Sequence, residues 1–134
     1  MKTQFDILDK LYPVINVTAI KNTIDGRVYR HKKPRDSQLR NIVLATLPIS
    51  GDNNTDLQNG TVMINSFAKN DPKTGIPDEA HLKATVAAII TVIEAYNASA
   101  GYFRMRVISE NIFPDDLDDT MAYDSIRVLY WTQR

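Results

Sequence analysis

The chain has 134 residues, of which 43% are hydrophobic, with 16 Lys and Arg against 16 Asp and Glu. A chain of this size buries roughly two thirds of its unfolded surface, so one domain over 1–134 with an ordinary apolar core is expected. The absence of cysteine excludes disulfides, thiolate metal sites and a cysteine nucleophile, and zero net charge gives no overall pull toward nucleic acid or membrane.

The opening "MKTQFDILDKLYPVI" lacks the apolar core of a signal peptide, and no run approaches the roughly 18 apolar residues of a membrane span, so a cytosolic protein is expected. Phe5, Leu8, Leu11 and Tyr12 recur at helical spacing within 3–15, with Ile7 and Ile15 at the margins and Pro13 placed to end the helix. Asp25 and Gly26 then signal a turn before Val28 and Tyr29, predicting a short hairpin or the start of a strand.

"LRNIVLATLPIS", 39–50, predicts a strand buried on both faces for part of its length. "GDNNTDLQN" has loop composition. "GTVMINSFAK", 60–69, alternates Val62, Ile64 and Ser66 with Met63, Asn65 and Phe67, predicting a second strand antiparallel to the first. A long helix follows. Pro77 and Asp78 start it, and Leu82, Val86, Ile89, Ile90, Ile93 and Tyr96 form its apolar stripe.

The remainder holds two further alternating segments. Tyr102, Arg104, Arg106 and Ile108 alternate with Phe103, Met105 and Val107, and Ile126, Val128 and Tyr130 alternate with Arg127, Leu129 and Trp131, around an acidic connection. The order α-β-β-α-β-β predicts an α+β fold. Its antiparallel or mixed sheet of about four strands has one long and one short helix packed on one face.

The cluster Asp115, Asp116, Asp118 and Asp119 has the oxygen-rich chemistry of a calcium or magnesium site, but it lacks the glycine turn and terminal glutamate of a calcium loop. An acidic surface loop is the better reading. His81 and Glu79 are two apart, on different sides of the helix, and nothing resembles a nucleophile elbow or a phosphate-cradling glycine loop. The densest charge is "RVYRHKKPRD", 27–36. It reads either as a charged sheet edge that resists aggregation or as a contact for an acidic partner surface or nucleic acid.

The order of elements, together with "GRVYRHKKPRD", "NIVLATLPIS", "TVMINSFAK" and "MAYDSIRVLYW", resembles the tail terminator, or tail completion, proteins of long-tailed bacteriophages and prophages, with the head-tail joining proteins grouped with them. The resemblance implies a structural assembly protein with no catalytic residues, metal or cofactor. Such proteins form a ring, usually a hexamer, that caps the tail tube, ends its polymerisation and docks to the head connector. The expected partners are therefore further copies of the chain, the tail tube protein and the connector protein, with DNA passing through the ring without specific binding and no membrane contact. The expected locations are the bacterial cytoplasm during assembly and then the virion tail or neck.

On this reading Arg30, Lys32, Lys33 and Arg35 lie on a surface loop and either meet an acidic patch, such as Asp115, Asp116, Asp118 and Asp119 of a neighbouring subunit or a patch of a tail-tube partner, or face the central channel through which DNA passes. The rivals are a part of a phage-like contractile injection or secretion apparatus, a small enzyme using Glu110 and the 115–119 carboxylates, and a nucleic-acid-binding domain.

Overall fold

Thr3 caps the first helix. In the computed structural model, which describes residues 1–49, 57–99, 101 and 103–133, its hydroxyl accepts the Asp6 N–H while its own N–H donates to the Asp6 carboxylate. This reciprocal cap satisfies two donors at the helix start. The helix, α1 (Gln4–Ile15), buries Ile7, Leu8, Leu11 and Ile15. Its buried stripe is turned from the expected one, since Ile7 and Ile15 are in the core while Phe5 is 61% exposed. Pro13 lies inside the helix and does not end it. Proline removes only the N–H that would meet the Asp9 carbonyl, Asn16 closes the last turn on Tyr12, and the burial of Ile15 outweighs the missing bond.

A short helix, α2 (Thr18–Lys21), leads to β1 (Val28–Arg30). The Asp25 and Gly26 pair makes no hairpin. Arg40 N–H donates to the Asp25 carboxylate at 2.6 Å, Gly26 N–H donates to the Arg40 carbonyl at 3.1 Å, and Arg27 N–H donates to Asn41 Oδ1 at 3.0 Å. A Cβ on Gly26 would stand 2.0 Å from Asn41 Oδ1, so this docking requires glycine. The docking sets β1 parallel to β2 (Ile42–Thr46), with Val28 opposite Ile42. Residues 31–41 must then cross back along the sheet to reach β2.

β2 pairs antiparallel with β3 (Leu57–Lys69), β3 with β5 (Met121–Gln133), and β5 with β4 (Arg104–Pro114), giving a five-stranded mixed sheet in the order β1-β2-β3-β5-β4. The fold is α+β. It has one strand and one short helix more than expected, because three residues at 28–30 and four at 18–21 complete what looked like connections. β2 is shorter than the predicted 39–50, and Ile42, Val43 and Leu44 are buried on both faces as expected. Of the predicted loop, 51–56 lie outside the described residues, and 57–59 belong to β3.

Alternation decides what each strand buries. Val62 and Ile64 of β3 lie opposite Val128 and Ile126 of β5, and all four are fully buried beneath α1 and α3 (Glu79–Ser99), whose Leu82, Ile89 and Ile93 close the core. β4 extends past the predicted end at Ile108. A bulge between Val107 and Ser109 shifts its alternation, so Glu110 and Ile112 come to the helix-covered face alongside Met105 and Val107. The acidic connection shrinks to a tight hairpin over 115–120.

Candidate assembly surface

The basic segment and the acidic hairpin are neighbours within one subunit. Arg30 is the last residue of β1 and not a loop residue; its guanidinium is committed to Asp9 and lies 4.8 Å from the Tyr12 ring centre. Lys33 donates to the Ser37 carbonyl at 2.9 Å and stands over the Phe67 ring, while Gln38 donates to Thr120 Oγ1 at 3.2 Å. Among the described residues the Lys32 and Arg35 side chains make no such contact.

The four hairpin aspartates divide into two pairs. Asp115 accepts the Leu117 N–H, and Asp118 accepts the N–H and hydroxyl of Thr120, which holds Asp118 below the ordinary carboxylate range. These two are half-buried and build the turn. Asp116 and Asp119 are exposed, and their carboxylates have no partner among the described residues. Between them Leu117 is 91% exposed. Among the described residues no three His, Asp or Glu side chains converge as metal ligands. His81 pairs with Asp78, at 2.5 Å, and not with Glu79; that contact holds Asp78 low and belongs to the start of α3.

The sheet face away from the helices is covered around Val43 and Ser125 and is open, among the described residues, toward the start of β4 and the end of β5. Strand register puts Arg104 beside Trp131, Arg106 beside Leu129, and Arg127 beside Met63 on that face. No Asp or Glu of the five strands shares it. Arg106 lies 5.8 Å from the Trp131 ring centre, and among the described residues no carboxylate pairs with Arg104, Arg106 or Arg127. Nearer the hairpin, Phe67, Tyr123 and Phe113 lean on one another at 5.1 and 5.7 Å, and the 31–41 crossover covers that corner through Lys33.

The free edge of β4 is blunted in several places. Asn97 of α3 donates its amide to the Met105 carbonyl and accepts the Met105 N–H at 2.9 Å, occupying the backbone groups that another strand would use. The bulge, Pro114 and the bond from Ile112 N–H to Asn111 Oδ1 interrupt the rest. Asn97→Ala is expected to cost about 1–3 kcal/mol in urea unfolding and to raise strand-edge aggregation by light scattering, because it leaves a donor and an acceptor unpaired. Unchanged stability and solubility would show that the edge needs no cover.

One titratable pair escaped the sequence reading. Asp124 of β5 is 2% exposed, faces the helices between Ser66 and Ile112, and has Glu110 within hydrogen-bonding reach. Burial first, then the Glu110 carboxyl, push its pKa up to about 8, so Asp124 keeps its proton near neutrality. Ser66 Oγ and Asp124 Oδ1 are buried without a hydrogen-bond partner among the described residues. The signal was a lone Asp in the inward phase of Ala122, Ile126 and Val128, visible only once the strand is begun at Met121.

No helix among the described residues is long and apolar enough to cross a membrane. No protein-family model matches the chain, and no curated protein matches it.

Proposed function

We propose that the chain is a structural assembly protein of a phage or prophage tail, a ring subunit that caps the completed tube, ends its polymerisation and docks to the head connector. The observation that carries this reading is the single-layered sheet: helices seal one face, and the other presents arginines that no carboxylate pairs with among the described residues, beside half-buried apolar side chains. A sheet with such a face has a surface to give to a neighbour, and a ring consists of such contacts repeated around an axis. The resemblance in the order of elements and in the segments "GRVYRHKKPRD", "INSFAK" and "MAYDSIRVLYW" supports the same assignment.

Glu110 has Asp124 as its partner, and Asp115 and Asp118 accept hydrogen bonds within the turn. In the tail reading the protein carries out no chemistry and takes no cofactor. It works in the bacterial cytoplasm during assembly and then in the virion neck.

Light scattering after size separation, over a range of protein and salt concentrations, tests the ring. The expected result is a particle of about six times the 15.2 kDa chain mass, appearing as concentration rises. A mass fixed at 15.2 kDa in every condition, with no annular particles in negative-stain electron microscopy, would sink the reading.

A further inference from the structure

The hairpin tip and the open sheet face have matching chemistry. The tip presents one apolar side chain, Leu117, flanked by the carboxylates of Asp116 and Asp119, which have no partner among the described residues. The face presents Leu129 and Met63, with the Arg106 guanidinium lying over Trp131, and among the described residues no carboxylate pairs with Arg104, Arg106 or Arg127. We propose that the 116–119 hairpin tip of one copy docks onto the Arg104, Arg106 and Arg127 face of a second copy, making a head-to-tail contact in which Leu117 is the buried anchor. This rests on the ring reading above and names the contact that builds the ring.

Geometry rules out the same contact within one chain. The tip projects from the end of the sheet where β4 finishes and β5 begins, while Arg104 and Arg106 lie at the opposite end of β4. At about 3.3 Å per residue the separation is roughly 30 Å along a paired, rigid strand. The donor patch and the acceptor patch are different surfaces, so the contact is heterologous; it closes into a ring when the rotation between copies divides a full turn, and otherwise grows as a filament.

Two alternatives fit less well. Pairing through the β4 edge meets the Asn97 amide, the bulge and Pro114. Single-stranded nucleic acid would use exposed ring faces for stacking, but Trp131 is covered by Arg106 and Phe67 by Lys33. Charged flanks around an apolar anchor also follow the usual division of labour at protein interfaces, in which the buried centre holds and the rim charges select the partner.

The test uses the full chain in four forms: wild type, Arg104→Glu with Arg106→Glu, Asp116→Lys with Asp119→Lys, and all four changes together. All four positions are exposed, so each form is expected to keep the wild-type circular dichroism spectrum. Each two-site variant is expected to assemble at least tenfold more weakly by sedimentation, and Leu117→Ser likewise. The four-site variant restores assembly, because the exchanged charges face one another again. Mixing the two two-site variants in equal amounts also restores assembly, because copies that alternate around the ring put Asp tips on Arg faces and Lys tips on Glu faces, and both contacts pair opposite charges.

Two-site variants that assemble like wild type, or a four-site variant that does not recover, overturn the proposal and leave the ring itself standing. A wild type that never associates fails the ring reading, and this contact with it. Loss of binding to a fluorescent single-stranded oligonucleotide in the Arg104→Glu, Arg106→Glu variant, with assembly unchanged, reassigns the face to nucleic acid and overturns the proposal as well.

Discussion

Asp124→Asn is expected to stabilise the protein at pH 8, on the order of 2–4 kcal/mol, and to flatten its pH dependence. The inward phase of β5 carries this carboxyl into the helix-covered face, where it is 2% exposed and stands against Glu110. Burial disfavours the charged form, and the neighbouring Glu110 carboxyl disfavours it further. The folded protein therefore keeps a proton up to about pH 8 that the unfolded chain releases near its ordinary value of 3.8. Stability is fullest below that lower value, falls as pH rises through the interval, and levels off above it.

Asparagine keeps the shape, stays neutral and can donate to Glu110, so its curve lacks this slope. Urea unfolding at pH 5, 6.5 and 8 checks it. The wild-type midpoint should fall across the series while that of the variant stays nearly level; parallel curves would mean that Asp124 is ionised throughout.

Ile126→Ala is expected to cost about 2–5 kcal/mol, and Leu129→Ala about 1 kcal/mol, at concentrations below assembly. The two residues are three apart in one strand and similar in size. Ile126 lies opposite Ile64, fully buried beneath the helices, whereas Leu129 lies beside Arg106 on the open face and is half-buried. Removing Ile126 side-chain atoms leaves a cavity that packed neighbours fill only in part; removing those of Leu129 opens onto solvent. In sedimentation the ranking reverses, and Leu129→Ala weakens association more than its effect on the subunit predicts. Equal losses of subunit stability would place Leu129 in a core and remove the open face from consideration.

Much of the architecture was legible in the chain because it rests on local periodicity. The alternation of Val62 and Ile64, and of Ile126, Val128 and Tyr130, marks their inward face without knowledge of any partner strand, and Leu82, Ile89 and Ile93 mark the stripe of α3. The concentration of charge at 27–36 and at 115–119 was equally plain. Its division was not. Arg30 turned to Asp9, Lys33 to Phe67, and Asp115 and Asp118 to the turn backbone, leaving Lys32, Arg35, Asp116 and Asp119 available.

The sequence by itself determined the α+β class, the long helix and the inward side of each central strand, because these follow from side-chain spacing along a few consecutive residues. Only the tertiary structure decided the rest. The Asp25 and Gly26 pair has the composition of a hairpin turn, yet Arg40 and Asn41 capture it and align β1 in parallel. The bulge after Val107 reverses the phase of β4, bringing Glu110 to Asp124, and the one-sided packing of the helices leaves the arginine face bare. Each of these is a choice of partner between distant segments, set by the competition for backbone hydrogen bonds and buried area, and no local pattern encodes which segment wins.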